Sequence, residues 1–228
     1  MNRLRTRGVV LRRINYGEAD RVITFLTADY GQVSAMAKGV RKQGSKLAGA
    51  IELFSESDVS FIKGKGQLDH LVSSRMIRHF GNIVSDYERV SLGYEIIKQA
   101  HKASREFDEP RLYGLLIDSL EALNDTSIPA DLIAAWFKLN LLAALGQQPN
   151  LTHDIDSQKL ADKHRYTLLP DDGAFRPDPQ GEISSDHIKA WRVLLRAKPD
   201  KAAAIGGLVQ AIADSRPALD NLFEYQFA

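Results

Sequence analysis

The hydrophobic periodicity of the chain changes near residue 80, and this change constrains the fold more than any other feature. From Leu4 to Phe80, short runs rich in β-branched and aromatic residues are separated by glycines, which is typical of strands and turns. Beyond Gly81, apolar residues recur every three or four positions, as in helices that bury one face. The 228-residue chain is therefore predicted to be α+β, with a β domain at residues 1–80 and a helical domain at residues 81–228.

The first 80 residues contain five such runs. They predict strands at residues 7–14, 21–27, 32–38, 57–62 and 68–74, with a turn at residues 15–18 and a hairpin around Gly64-Lys65-Gly66. Five short strands with one long connection after the third favour a closed five-stranded OB-fold β-barrel over an open sheet with exposed edges. An SH3-like barrel satisfies the same pattern.

The remainder is predicted to be all-helical. Pro110 and Pro129 stand where helices begin, and the apolar helix Asp131–Leu145, which Gly146 ends, is expected to be central. Residues 147–182 are rich in proline and are predicted to be a linker or a reduced insertion. Two later helices are predicted, one capped near Ser184 and one starting at Asp200 and continuing through Ile212.

The residue types present exclude several kinds of chemistry. The chain has no cysteine, which excludes disulfides, thiolate metal sites and a cysteine nucleophile. Its six histidines are scattered, and no metalloprotease, nucleophile-elbow or phosphate-loop motif occurs. We therefore predict no catalytic residues, no cofactor and no metal. For His153, Asp154, Asp156 and His164, a solvated polar loop is favoured over a hard-metal site.

The amino terminus is basic, but the apolar run Val9-Val10-Leu11 is too short for a signal peptide. No apolar stretch approaches the roughly 20 residues of a membrane-spanning helix. A soluble cytoplasmic protein without membrane partners is expected.

Charge is unevenly distributed between the two parts. Residues 1–80 carry 14 basic and 7 acidic residues, whereas the remaining 148 carry 16 and 22. No acidic residue occurs between Asp29 and Glu52, where lysines and arginines alternate with glycines. Cations neutralise phosphates, and glycines allow close approach of the backbone, so this loop suits a nucleic-acid backbone, although a solvated basic loop is the alternative. The predicted nucleic-acid-binding residues are Arg5, Arg7, Arg12, Arg13, Tyr16, Lys38, Arg41, Lys42 and Lys46.

Aromatic rings that stack on bases are few. The candidates are Tyr16, Tyr30, Phe54 and Phe61. Most of these are expected in the core, and Tyr16, beside Gly17, is expected to be exposed.

Three ordered segments resemble the RecO family of recombination mediators. They are Val9–Asp20, which resembles the first strand and turn of the family; Gly31–Arg41, which resembles its opening-domain signature; and Leu47–Phe54, which resembles the segment after its basic loop. Leu141–Leu151 is similar to the helix end that precedes the zinc-binding insertion of the family. Many members place two Cys-x-x-Cys pairs in that insertion, whereas this chain has Asp154–Ser157 and Phe175–Asp178 there, so zinc is not carried over.

The resemblance implies an OB-fold that binds single- and double-stranded DNA, anneals complementary strands and helps to load recombinase, without covalent chemistry, in the nucleoid. It also implies RecR and the acidic tail of single-stranded DNA-binding protein as partners. The basic group Lys98, His101, Lys102 and Arg105 is a candidate for the tail, with an ordinary solvated helix face as the alternative. Two other functions stay open: a protein-interaction scaffold with little DNA affinity, and an RNA-binding OB-fold.

Overall fold

The structure is a computed structural model that describes residues 3–45, 47, 49, 51–66 and 68–227. The chain forms two compact units, residues 1–124 and 125–228.

The first unit contains a closed five-stranded barrel. Its strands are β1 (Arg3–Tyr16), β2 (Asp20–Thr27), β3 (Gly31–Ala37), β4 (Ser55–Ile62) and β5 (Asp69–His79). Their order around the barrel is β1-β2-β3-β5-β4. All neighbouring strands are antiparallel except β3 and β5, and the long β1 pairs with both β2 and β4 to close the barrel. This architecture is that of an OB-fold, and it confirms the predicted strands and barrel.

Alternate side chains of each strand fill the barrel. Phe25 of β2 and Phe61 of β4 are fully buried, and their rings meet edge to face at 5.6 Å. Gly8 of β1 lies beside them, where an added Cβ would stand 3.4 Å from Phe25 and from Val59. A bulge between Val10 and Arg12 then shifts the register of β1 against β2. The bulge lets the second half of β1 follow the barrel wall while its outward residues stay in contact with solvent.

Two helices complete the first unit. A short 3-10 helix (Gly81–Ser85) leads to α1 (Tyr87–Glu106) and α2 (Arg111–Asn124). Helix α1 lies close to the barrel: a Cβ on Gly93 would stand 2.7 Å from a ring carbon of Phe54, and Ser104 donates a hydrogen bond to Gln32 at 2.9 Å. The barrel ends near the predicted boundary at residue 80, but the compact unit continues to Asn124. The division into domains at residues 80 and 81 stays a prediction.

The second unit combines helices with a small sheet. Its elements are α3 (Ala130–Ala144), β6 (Arg165–Leu169), β7 (Ala174–Pro177), β8 (Ile183–Ser184), α4 (Ser185–Leu194), α5 (Pro199–Ala203) and α6 (Leu208–Phe227). Helix α3 is almost wholly buried, as its apolar sequence predicts, and Gly146 follows it with a φ of 75°. The strands form an antiparallel sheet in the order β7-β6-β8.

Two details of the predicted helical part are wrong. The second part is not all-helical, because residues 147–182 contain β6 and β7, whose Tyr166 and Phe175 are buried with Trp191. This aromatic packing orders a segment that lacks a periodic sequence pattern. The helix predicted from Asp200 through Ile212 is two helices, since the chain leaves helical geometry between Ala203 and Leu208, where Gly207 has a φ of 77°. Asp200 lies within the first turn of α5, which Lys198 precedes.

Candidate nucleic-acid interface

One outward face of the barrel carries the carboxyl-terminal half of β1. Arg12, Ile14 and Tyr16 are opposite Thr24, Val22 and Asp20 of β2, respectively. Because paired residues share a face of the sheet, these side chains point away from the core-facing Ile23 and Phe25. Tyr16 is 59% exposed and Ile14 is 43% exposed. The face continues onto β3, where Ser34 and Met36 are opposite Thr24 and Val22.

The basic loop after β3 is attached to the turn between β1 and β2. The backbone N–H of Arg41 donates to the carbonyl oxygen of Ala19 at 2.9 Å, and its guanidinium donates to that of Gly17 at 3.2 Å. The backbone N–H of Gly39, a residue with a φ of 65°, donates to the carboxylate of Asp20 at 2.7 Å. These bonds place Arg41 and the loop beside the turn that follows Tyr16.

Four predicted cations thus lie on or next to this face. Arg12, Lys38, Arg41 and Lys42 are all exposed, and none has a carboxylate partner among residues 3–45, 47, 49, 51–66 and 68–227. We call these four residues and Tyr16 the barrel face. Lys46, the last predicted cation of the loop, lies outside the described residues. The barrel face combines an exposed ring with cations that form no ion pair within the described residues, and both features suit a nucleic-acid strand.

The predicted arginines in the first half of β1 lie elsewhere. Arg5 forms an ion pair with Asp58 of β4, and Arg75 of β5 approaches the same carboxylate at 3.5 Å. The hydrogen bond from Arg5 lowers the pKa of Asp58, although partial burial opposes this effect. Arg7 lies 3.6 Å from the carboxylate of Glu56, and its guanidinium stands 5.8 Å from the centre of the Tyr113 ring. The structure therefore does not bring Arg5 and Arg7 together with the barrel face.

Arg13 has a structural environment of its own. It is opposite the buried Ile23, on the core-facing side of β1. Its guanidinium donates to the carbonyl oxygen of Ile51 at 3.3 Å and to the carboxylate of Glu52 at 2.7 Å. Arg13 thus connects β1 to the end of the β3–β4 connection, so its charge is shared with Glu52.

The stacking candidates separate by burial. Phe54 is 2% exposed and Phe61 is fully buried, so both belong to the packed interior, as expected for most of the set. Tyr16 is exposed, which confirms that expectation. Tyr30, in the turn between β2 and β3, is also 45% exposed.

The sequence analysis missed the apolar part of this face. Ile14, Val22 and Met36 form a row across β1, β2 and β3, and Met36 is opposite His70 of β5. The alternation of inward and outward residues along each strand could have predicted this row. The bulge in β1, however, decides which residues of that strand face outward. Lys65, exposed between β4 and β5, was likewise noted only as part of a hairpin.

The basic group of α1 lies at the end of the helix that contacts the barrel, where Ser104 donates a hydrogen bond to Gln32 of β3 at 2.9 Å. Lys98 and Arg105 are exposed, and His101 and Lys102 are half-buried. Burial, with the charges of Arg105 and Arg12, lowers the pKa of His101. Positive charge therefore continues from the barrel face to α1.

The polar loop of the second unit has an internal role. A carboxylate oxygen of Asp154 accepts hydrogen bonds from the backbone N–H groups of Asp156 and Gln158, at 3.0 and 2.8 Å. The described part of the chain contains no cluster of three acidic or histidine side chains arranged for a metal ion. In the same part of the chain, no helix is both long and apolar enough to span a bilayer.

Comparison with known proteins gives a consistent match over both units. A family model described as recombination protein O N terminal matches residues 1–80, and one described as recombination protein O C terminal matches residues 85–227. The DNA repair protein RecO of Dehalococcoides mccartyi strain 195 is 34% identical over 183 residues, which cover 80% of this chain and 69% of the relative. The protein of the same name from Desulfatibacillum aliphaticivorans is 35% identical over 149 residues, 64% of this chain and 58% of the relative.

Proposed function

Because this chain belongs to the RecO family of DNA repair proteins, we propose that it is a non-enzymatic recombination mediator. It binds single- and double-stranded DNA, anneals complementary strands and assists the loading of recombinase in recombinational repair. The matched segments span between 58% and 69% of the length of the relatives described above. The activities of the whole protein are therefore proposed for this chain.

The observation that carries the proposal is the barrel face. Its cations lack carboxylate partners in the described part of the chain, and the exposed ring of Tyr16 lies next to the loop that holds Arg41. OB-folds bind oligonucleotides on the outer face of strands 2 and 3 and on the loops that flank it. The lysines and arginines neutralise phosphates of either strand, which supports annealing because it reduces the repulsion between two strands.

Reversing Arg41 and Lys42 to glutamate should weaken single-stranded DNA binding at moderate salt by at least about tenfold. It should also make the slope of the logarithm of affinity against the logarithm of salt concentration less steep by about 0.7 for each lost phosphate contact. Tyr16→Ala tests the stacking contact separately, since this exposed ring contributes little to folding. Fluorescence anisotropy of a labelled oligonucleotide with the full chain measures both effects.

The matched control is the double variant Lys159→Glu, Lys201→Glu, which makes the same change of charge at two exposed lysines of the second unit. If the Arg41 and Lys42 variant binds DNA as the parent does, the barrel face is not the DNA site. If the parent itself shows no salt-dependent binding, the second candidate, a protein-interaction scaffold, is favoured. An RNA oligonucleotide of the same sequence that binds more tightly than DNA would favour an RNA-binding role.

The proposed partners besides DNA are RecR and the acidic tail of single-stranded DNA-binding protein. Their support is the family membership alone. A mediator of this kind works where DNA is, so we place it in the cytoplasm with the nucleoid. It requires no cofactor, since binding and annealing break no covalent bond.

A further inference from the structure

Helix α1 displays a row of side chains, all exposed except the half-buried His101, that the barrel face does not include. We call it the α1 stripe, and its members are Tyr87, Ser91, Tyr94, Lys98, His101 and Arg105. Their spacing alternates between four and three residues, which keeps them on one side of a helix with 3.6 residues per turn. From Tyr87 to Arg105 the stripe is about 27 Å long, at 1.5 Å per residue.

The aromatic end of the stripe is unusually open. Tyr87 is 88% exposed and Tyr94 is 51% exposed, whereas Ile96 and Ala103 on the opposite side of α1 are fully buried. Within the described residues, the side chain of Tyr87 has no hydrogen bond and no ring contact. Its apolar ring is therefore available for a partner.

Acidic side chains flank one edge of the α1 stripe. Glu88, Glu95 and Glu106 lie about 100° round the helix from Tyr87 and Arg105, since each residue advances by 100°. The stripe borders the barrel: the ring of Tyr94 meets that of Phe54 at 5.3 Å, and Arg12 is near enough to affect the pKa of His101. Lys102 lies on that edge with Glu95, so the positive charge of the stripe itself comes from Lys98 and Arg105, near the end of α1 where Ser104 donates a hydrogen bond to Gln32 of β3.

We propose that single-stranded DNA bound on the barrel face continues along the α1 stripe. Bases stack on Tyr87 and Tyr94, and phosphates contact Lys98 and Arg105. This inference rests on the proposed function and extends its binding site onto a helix. At 3.4 Å or more per nucleotide, the stripe accommodates up to about eight nucleotides.

An acidic peptide is the competing occupant. The carboxylates of such a peptide would pair with Lys98 and Arg105, but they would not cover the exposed ring of Tyr87. A single strand carries both bases and phosphates along its whole length, so it contacts the rings at one end of the stripe and the cations at the other. The hydrogen bond from Ser104 to Gln32, which shares the outward face of β3 with Ser34 and Met36, also makes the stripe continuous with the barrel face, as a single strand requires.

The test uses oligonucleotides of two lengths with the full chain. An OB-fold takes about 4 to 16 nucleotides, so an oligonucleotide of about 8 fills the barrel face and one of about 30 also reaches the stripe. The double variant Tyr87→Ala, Lys98→Glu should bind the longer strand about tenfold more weakly and the shorter strand less than about twofold more weakly. Lys201→Glu, with the same change of charge, should match the parent for both.

Equal affinity of variant and parent for the longer strand would overturn the α1 stripe while leaving the proposed function intact. An equal loss for both lengths would also overturn it, because the contact would then not depend on length. Absence of salt-dependent binding by the parent would instead refute the proposed function. Photo-crosslinking of a bromodeoxyuridine oligonucleotide should label the tryptic peptide that contains Tyr87. Labelling confined to the barrel contradicts the inference. Crosslinks at Tyr87 that an acidic peptide abolishes, but that unlabelled competitor DNA does not, also contradict it.

Discussion

At the scale of single residues, Glu56 is the centre of the contact between barrel and helices. It is 1% exposed, and its carboxylate accepts hydrogen bonds from Arg78 at 2.6 Å and from the hydroxyl of Tyr113 at 2.5 Å. Burial, together with this hydrogen bond to a carboxylate, raises the pKa of Tyr113. Buried charges of this kind are stable only when their partners are in place.

Glu56→Ala should therefore lower the free energy of unfolding by about 2 to 4 kcal/mol, since it leaves the hydroxyl of Tyr113 buried and Arg78 without its inner partner. Urea denaturation followed by circular dichroism measures the change. Glu121→Ala is the matched control, because Glu121 pairs with the same Arg78 but is exposed, and it should cost less than about 1 kcal/mol. If the two variants lost similar amounts of unfolding free energy, the burial of Glu56 would not be the reason for its contribution to stability.

At the scale of elements, α1 and α2 are part of the barrel unit. Phe54 has a φ of 56° and is buried where α1 approaches with a glycine, Gly93. Any side chain at this position of α1 would overlap the Phe54 ring. The barrel alone would thus leave Phe54 uncovered and Glu56 without Tyr113.

We expect a fragment of residues 1–80 to unfold at a lower urea concentration than a fragment of residues 1–124, or to aggregate. Exposed apolar surface and an unpaired buried carboxylate both disfavour the shorter fragment. Circular dichroism across a urea titration gives the two midpoints. The same midpoint for both fragments would show that the barrel is an independent domain ending near residue 80.

The elements differ in how far their sequences predict them. The five barrel strands have continuous β-rich runs, and the structure extends them by only a few residues at their ends. Strands β6, β7 and β8 are five, four and two residues long, too short for any periodicity. They exist because Tyr166, Phe175 and Trp191 pack together, which is a tertiary interaction between residues distant in sequence.

At the scale of the whole molecule, each unit contains a partly buried histidine. Burial is the main cause that lowers the pKa of His101 in the first unit and of His187 in the second. Nearby arginines add to this effect at both sites, and Asp214 and Asp186 oppose it at His187. Neither histidine takes up a proton in the folded state as readily as in the unfolded chain.

The free energy of unfolding should therefore fall as the pH drops from about 7 to about 5.5. Between the ordinary histidine pKa of about 6.5 and the lower folded values, the unfolded chain binds more protons, so acid favours unfolding. The double variant His101→Gln, His187→Gln should show a weaker pH dependence in urea denaturation. A parent protein that becomes more stable on acidification through this range would contradict the assignment.

The sequence by itself determined a small barrel, the helices up to α4 and the location of the basic loop, because strand alternation, helical spacing and charge depend on neighbours along the chain. Tyr16 was identified in the same way, from its place beside a turn glycine. Only the tertiary structure decided that Arg5, Arg7 and Arg13 have carboxylate partners and that Arg12 and Arg41 have none in the part of the chain that the structure describes. Those partners come from other strands and connections, brought near by barrel closure and by the bulge in β1. The change of periodicity near residue 80 marks where the barrel ends. The compact unit extends to Asn124 because α1 covers Phe54 and α2 supplies Tyr113 to the buried Glu56.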